Sequence, residues 1–367
     1  MQLPISPQGH AGRGPILRAR LTLPPPPRPK STVPLPTISV VVPAFNAATF
    51  LTRCLDALER SSVEFELIVV DDASTDPQAI AVMQRAGAGY LRLQQNSGPA
   101  VARNAGVTRA TGEIVVFIDS DVVVQPNTVA ELAAVFVLEP AVDACFGSYD
   151  TEPDDRSAIS SYRNLLHHHV HQTGPRDATT FWAGCGAVRR AVFTDLGGYD
   201  ERFRRPSIED IELGMRLCEA GHTVRLAPWI QVKHLKRWRF LEMVRVDVNC
   251  RAIPWTRLLI ERPGTGGDLN LARAQKVCVV LVFLAVLSAP TGLALGLLGK
   301  GWIWNVSPLL LIGPILWINR GFYGLLLRVR GVRFLLAGVL LHLLYYLYGG
   351  LGFAWARATH EKGRDVL

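Results

Sequence analysis

Short runs of β-branched residues recur along the first third of the chain, and between them apolar positions return every three or four residues. ISVVVP (38–43), ELIVV (66–70), YLRL (90–93) and IVVFI (114–118) read as strands. Leu51, Leu55 and Leu58 fall on one helical face, with Asn46 placed to cap that helix. Asp76 followed by Pro77 marks another helix start, and a third helix runs through Asn104. Strand after helix after strand predicts an α/β fold: a Rossmann-like, mostly parallel sheet with helices on both faces. Ligands of such sheets gather outside the carboxyl ends of the strands. Asp71, Asp72, Asn96, Asp119 and Asp121 each stand just after a strand, so they are expected to converge on one crevice.

Further on, the segment 180–203 mixes small residues with aromatics, and 206–222 reads as a helix ending at Gly221. TVRLAP and IQVKH read as two short strands. At 237 the pattern changes. RWRFLEMVRVDVNCRAIPWTRLLIER (237–262) alternates arginine with Trp, Phe, Leu and Met, as a segment lying in the plane of a bilayer surface would. Three apolar stretches follow, 277–298, 302–318 and 332–356, read as membrane spans. Arg320, Arg328, Arg330 and Arg333 lie between the second and third, against Lys300 alone between the first and second. That asymmetry predicts a multi-pass cell-membrane protein with its catalytic unit on the cytoplasmic side. Residues 1–36, with LPPPPRPK and no apolar core of signal-peptide length, read as a disordered proline-rich tail. The expected division is therefore 1–36 tail, 37–236 catalytic domain, 237–275 interfacial segment and 276–367 membrane region.

Composition sharpens this picture in two respects. The formal charge of +8 could signal nucleic acid, but the basic residues cluster from 202 to 273 and between the apolar runs, a pattern that fits anionic headgroups and no nucleic-acid partner. Six cysteines are scattered singly without a C-x-x-C, so neither a zinc site nor a disulfide framework is expected, and a reducing compartment follows.

The chemistry-bearing residues start with Asp119-Ser120-Asp121 at the end of IVVFI. A D-x-D there reads as solvated loop acids, as a calcium-like oxygen site, or as ligands for a divalent ion that also touches a diphosphate. Mg²⁺ and Mn²⁺ favour one or two carboxylates plus substrate phosphates, and the nearby Asp71 and Asp72 strengthen the third reading. Ser207-Ile208-Glu209-Asp210 has the form of a capping box at a helix start, which competes with a catalytic role for Asp210. HHHVH (167–171) resembles a metal cluster, yet lacks a carboxylate or cysteine at ligand spacing, and reads as surface or acceptor-groove histidines. NSGPAVARN has no phosphate-loop Lys-Ser/Thr, so nucleotide triphosphate hydrolysis is not indicated. VPAFNAATF has no glycine, which argues against a dinucleotide-binding oxidoreductase.

Taken in order, ISVVVPAFN, ELIVVDDASTD, NSGPAVARNAGVTRATGEIVVFIDSD, WAGCGAVRRAVFTDLGGYDE and IEDIELGMRL resemble the blocks of the inverting family 2 glycosyltransferases of GT-A fold, over about 38–240. The resemblance implies metal-dependent hexosyl transfer from a nucleotide diphosphate sugar to an acceptor hydroxyl, with Mn²⁺ or Mg²⁺ as cofactor. It implies Asp72, with Asp71 beside it, at the nucleobase; Asp119 near the ribose or metal; Asp121 on the metal; and Asp210 as general base, with Glu209 second. Pro43, Phe45, Asn96, Arg103 and Ser120 fall in the donor-binding blocks, Arg103 being alternatively a helix-surface arginine. HLKRW matches Arg237 and Trp238 of the Q-x-x-R-W of membrane-integrated polysaccharide synthases, with His234 in place of Gln; relatives that use a histidine here imply a metal ligand. Arg237 either pairs with diphosphate or anchors the interfacial segment. Ala47 stands where many relatives carry Glu, so nothing catalytic is expected on that turn. The expected partners are a nucleotide-sugar donor, a lipid-linked or envelope glycan acceptor, and the membrane. A processive synthase would expect spans before the catalytic unit, which residues 1–37 lack; an inactive scaffold is the other alternative.

Overall fold

The computed structural model describes residues 34–262, 273–298 and 303–360; the tail up to residue 33, Lys300 and the end of the interfacial segment lie outside them. Nine strands form one sheet: β1 (Ile38–Ala44), β2 (Glu66–Asp71), β3 (Tyr90–Arg92), β4 (Ile114–Ile118), β5 (Val122–Val123), β6 (Val142–Tyr149), β7 (Asp177–Ala178), β8 (Cys185–Arg189) and β9 (Thr223–His234). Their order is β3-β2-β1-β4-β8-β6-β9-β5, with β7 also on β9. The first four strands are mutually parallel, as is the β6–β9 pair, while β8 runs against both its neighbours.

Strict alternation sends side chains to two cores. Val40, Val42, Ile114, Val116 and Ile118 meet α1 (Ala48–Leu58), α2 (Pro77–Met83) and α4 (Thr128–Leu138) on one face. Val41, Val115 and Phe117 meet α3 (Pro99–Arg109) and α7 (Glu209–Glu219) on the other. Because both faces are covered, all residues of β1 and β4 are buried, which is why these strands read as continuous apolar runs.

Two local expectations change. Asn46 does not cap α1; at φ +49° its side chain turns away and accepts from the Thr75 and Asp76 amides, both at 2.9 Å, while α1 starts after Ala47 with no side-chain cap. TVRLAP and IQVKH are one strand, β9. Its register on β6 jumps from Phe146↔Leu226 to Ser148↔Gln231, so residues 227–230 bulge opposite Gly147. Pro228, which has no N–H to give, sits in that bulge. A Cβ on Gly147 would lie 2.4 Å from the Ile230 carbonyl oxygen, so the close approach requires glycine. Beyond the bulge, β9 reaches β5, pairing His234 with Val122.

After α5 (Ala158–Thr173) and α6 (Arg190–Asp195), the interfacial segment is not one helix but three pieces: α8 (Phe240–Asp247), a π-helical turn (Val248–Ala252) and α9 (Ile253–Glu261). α10 (Arg273–Leu297), α11 (Ile303–Ile318) and α12 (Arg320–Ala358) follow. α12 folds back at Gly331, where φ is +79°, bringing the Tyr323 hydroxyl to His342 Nδ1 at 3.2 Å and the Tyr346 hydroxyl to Asn319 Oδ1 at 3.1 Å. The arginines at 320, 328, 330 and 333 therefore stand on a helix, not in an open loop. By length and composition, Arg273–Leu295 and the stretch Arg320–Ala358, interrupted by the reversal at Gly331, are apolar enough to cross a membrane; the 16 residues of α11 fall short.

α7 is seated backbone to backbone on the segment before β8, since a Cβ on Gly214 would lie 2.2 Å from the Phe181 amide nitrogen. Gly214→Ala is expected to cost about 1–3 kcal/mol through this overlap. Denaturant unfolding measures it, with Gly197→Ala, at an open turn, as the control for strain without crowding.

Candidate active site

The carboxyl end of β2 carries Asp71 and Asp72, and both are committed to the fold. Asp71, fully buried, accepts from the Ser74 amide (2.7 Å), the Tyr90 hydroxyl (2.9 Å) and Arg92 Nη1 (2.7 Å), which ties the following loop to β3. Asp72 accepts from the Ser97 and Gly98 amides at 2.7 and 2.8 Å, and so sets the loop that leads into α3. Asn96 donates to the Asp72 carbonyl at 3.3 Å. Burial raises the Asp72 carboxyl above its ordinary range, although both amide bonds favour the ion.

Arg103 links two of the remaining carboxylates, Asp119 and Glu209. It rises from α3 with 4% of its surface exposed, Nη2 2.7 Å from Asp119 Oδ1 and Nη1 3.0 Å from Glu209 Oε1. A helix-surface arginine it is not. Its guanidinium lies 5.4 Å from the Tyr199 ring centroid. Despite burial, the charge of Asp119 leads the effects that raise its proton affinity. Glu209 gives its second oxygen to the Ser207 amide at 2.8 Å. The capping box does not form, because the Ser207 hydroxyl donates instead to the Cys250 carbonyl at 2.8 Å.

Asp210 is engaged by backbone amides alone. Half-buried at the start of α7, it accepts a 3.3 Å bond from the Ala183 amide and a bond from the amide of Ile211. Burial, reinforced by the Glu209 charge, pushes its pKa up to about 7. That is the range of a general base working near neutrality.

At the end of β4, the pairing of β5 with β9 brings Asp121 Oδ2 within 3.5 Å of His234 Nε2. Burial opposes ionisation of Asp121, but the His234 contact and the Lys236 charge outweigh it and hold the carboxyl low. Asp119, turned to Arg103, is raised by burial in spite of that partner. Among the described residues, no three His, Cys, Asp or Glu side chains converge as a ready-made cation cage. The His234 ring stacks on Tyr149 with centroids 4.4 Å apart; Tyr149 in turn meets His167 at 4.5 Å and Trp182 at 4.8 Å. His171 touches His167 at 4.0 Å, and burial drives the proton affinity of His167 well below the usual histidine range.

The other expected donor residues scatter. Pro43 is buried in β1 opposite Val70, Phe45 is exposed just beyond that strand, and Ser120 lies partly buried between the two D-x-D acids. Arg237 is exposed beside Asp155 at 3.8 Å. Trp238 is buried with Tyr162 and Met243, its ring between Arg163 (4.3 Å) and Lys236 (4.0 Å). Their partners belong to α5 and the interfacial layer, not to the acid cluster. Tyr149 and Trp182 line the site without having been singled out. Trp182 opens the aromatic-and-glycine block 182–201, and only the sheet register brings it to Tyr149.

Comparison with known proteins follows from this geometry. Residues 39–197 match the family model described as Glycosyl transferase family 2. The chain is 30% identical over 228 residues to the pre-mycofactocin glycosyltransferase of Mycobacterium tuberculosis, covering 59% of this chain and 47% of that protein. It is 28% identical over 270 residues to the validoxylamine A glucosyltransferase of Streptomyces hygroscopicus, covering 60% of this chain and 61% of the relative. The match thus spans about half to three-fifths of these curated relatives. Among solved structures, the fold resembles a mannosyltransferase from Pyrobaculum calidifontis in complex with GDP-Man and Mn²⁺, with a TM-score of 0.55 at 17% identity over 92% of this chain and 91% of that one. The mostly parallel sheet is the GT-A arrangement.

If Arg103 is the clamp described, Arg103→Ala leaves Asp119 and Glu209 without their buried counter-charge and is expected to cost about 3–5 kcal/mol in unfolding free energy. Adding Glu209→Gln should recover part of that loss, a non-additivity that a double-mutant cycle measures.

Proposed function

We propose that the chain, whose residues 39–197 match the Glycosyl transferase family 2 model, is a membrane-anchored, metal-dependent, inverting glycosyltransferase. In this reading it moves a sugar from a nucleotide diphosphate sugar to a hydroxyl of a lipid-linked or envelope glycan acceptor on the cytoplasmic side. The observation that carries the proposal is the joining of the D-x-D to the Glu209–Asp210 turn through one buried arginine, with Asp210 held by backbone amides and free of any cationic partner within ion-pair distance among the described residues.

The roles divide by how each side chain is engaged. Asp210 takes the acceptor proton as the hydroxyl attacks the anomeric carbon opposite the leaving diphosphate. Glu209, its oxygens held by Arg103 and Ser207, fixes that turn and gives up its place as alternative base. Asp72, Asn96, Phe45 and Ser120 are assigned to the wall of the crevice where the nucleoside is received, and the buried Pro43 and Asp71 act by positioning that wall. Arg237 and Trp238 serve the interfacial layer. Asp121 and His234 offer a carboxylate oxygen and an imidazole nitrogen 3.5 Å apart, a donor pair suited to Mn²⁺ or Mg²⁺ once diphosphate oxygens complete the shell, with Asp119 at its edge. The bound ion supplies counter-charge to the departing diphosphate. The stacked Tyr149 ring fixes the His234 plane. The glycosyltransferase names of the relatives, and the GDP-Man and Mn²⁺ bound by the structural neighbour, support the reaction class and the metal. Two helices long and apolar enough to span support the anchoring.

Nucleoside diphosphate release by purified full-length protein, across donors and with or without Mn²⁺, tests this reading. Asp121→Ala should abolish the metal-stimulated part without unfolding the protein, and undiminished turnover would remove the metal assignment. Asp210→Asn should lower turnover about 10²–10⁴-fold while donor binding persists. A base with a pKa raised to about 7 loses its active form as pH falls through that value. Wild-type kcat/KM should therefore decline tenfold per pH unit on the acid side, and Asp210→Asn should lack that limb. Donor affinity that collapses in Asp210→Asn at constant rate per bound donor would make the residue structural.

A further inference from the structure

We propose that Tyr149, Trp182 and His167 form the wall that receives the acceptor, and that the group they take is a pyranose ring. The inference rests on the sugar-transfer reading for the word acceptor, and narrows the acceptor to a ring that offers both C–H edges and hydroxyls.

The three side chains come from separate elements and meet at short range. The Tyr149 ring, at the end of β6, lies 4.8 Å from Trp182 and 4.5 Å from His167 of α5, and His167 lies 4.8 Å from Trp182. The strand beneath them is pinned. His168 Nδ1 donates to the Tyr149 carbonyl at 2.7 Å, and His171 Nδ1 donates to the Gly147 carbonyl at 2.9 Å. Two histidines of HHHVH are thus committed to β6, and His169 packs on Phe322 at 5.4 Å. His167 meets the aromatic pair with neither ring nitrogen bonded among the described residues.

The polar atoms of the trio are uncommitted. The Tyr149 hydroxyl, the Trp182 indole N–H and His167 Nε2 make no hydrogen bond among the described residues, and all three residues are partly exposed. The hydroxyls of Tyr162 and Tyr199 differ, being sealed without a partner, as is His167 Nδ1. The wall therefore combines ring carbons with an N–H donor, a phenol and an imidazole nitrogen that reach its surface. Aromatic lining with a few placed polar atoms is what small-ligand sites use. A pyranose satisfies both parts, whereas an alkyl chain would leave the polar atoms bare.

Position assigns the wall to the acceptor and not to the nucleoside. Trp182 precedes Ala183, whose amide donates to Asp210 Oδ2 at 3.3 Å. Its ring lies over Gly184, where a Cβ would come 2.6 Å from Cε2 and Cζ2, and the Gly184 carbonyl accepts from the Asp119 amide at 3.3 Å. At the other end, Tyr149 stacks on His234 at 4.4 Å, and His234 Nε2 is 3.5 Å from Asp121. The wall thus joins the proposed base to the proposed cation seat. In the sheet, β1, β4 and β8 separate β6 from β2, after which Asp72 stands.

Binding is read without turnover. Full-length protein in nanodiscs with Mn²⁺ is titrated first with UDP and GDP. With diphosphate bound, saturation-transfer NMR then follows the methyl pyranosides of glucose, mannose, galactose and N-acetylglucosamine, with glycerol as hydroxyls lacking a ring. At least one pyranoside should bind through its ring protons. Trp182→Ala should weaken it at least about tenfold. Tyr149→Phe and His167→Phe, which keep a ring and remove the polar atom, should each weaken it about 2–10-fold. If neither UDP nor GDP binds, the sugar-transfer reading falls and this wall with it. Diphosphate binding with pyranosides held equally by wild type and all three variants overturns the wall alone. So does the absence of pyranoside binding, or glycerol matching the pyranosides. Displacement of the pyranoside by UDP-glucose or GDP-mannose, but not by UDP or GDP, would give the wall to the donor sugar and equally overturn it. Should Trp182→Ala fail to fold by thermal unfolding, the two phenylalanine variants decide: weakened binding supports the wall and equal binding overturns it.

Discussion

One buried cation organises the crevice. Asp119 and Asp121 arrive from the end of β4 and Glu209 and Asp210 from the start of α7, and the buried Arg103 bridges the two pairs through Asp119 and Glu209. Without it the like charges would repel and the burial of Asp119 and Glu209 would be uncompensated. With it, the charge is still not neutral. The remaining excess is visible in Asp210, whose proton is held up to about neutrality by burial and by Glu209. It is also the electrostatic reason that a divalent cation is an apt guest beside Asp121 and His234 in the proposed reaction.

The alternation of strands and helices, the acids after β2 and β4, and the apolar tail were all legible in the sequence, because each is a local pattern of period two, period 3.6 or plain composition. The convergence of Asp121 with His234 was legible only through family resemblance. Its physical cause is a bulge at Pro228 opposite Gly147 and a two-residue strand, β5, neither of which leaves a periodic signal. The commitment of Asp71 to Arg92 and Tyr90 was hidden for the same reason: it spans 19 and 21 residues of sequence. Arg103 sat on an unremarkable helical pattern, and only burial distinguishes it from a surface arginine. Asn46 was misread, and the capping alternative at Ser207 fails, because an Asn or Ser before a helix is a capping signal until a tertiary partner takes the side chain.

The C-terminal helical layer follows a different logic from the sheet. Its helices are joined to the catalytic domain by polar bonds, Arg163 to Asp247 to Tyr348 and Ser207 to Cys250, set among the apolar contacts of Tyr162, Trp238 and Phe322. Polar bonds are directional, so they fix the register between the Glu209–Asp210 turn and the apolar C-terminal helices, whereas apolar contacts alone would allow sliding. The helical reversal at Gly331 serves the same end by returning α12 past α5 to the π-turn.

Anomalous scattering at the manganese edge, from crystals grown with Mn²⁺ and a nucleoside diphosphate, addresses the central claim most directly. The account predicts a single anomalous peak within bonding distance of Asp121 and His234, with the diphosphate on its open side and Arg103 still joined to Asp119 and Glu209. A peak remote from both ligands, or a diphosphate bound away from the end of β4, would contradict it.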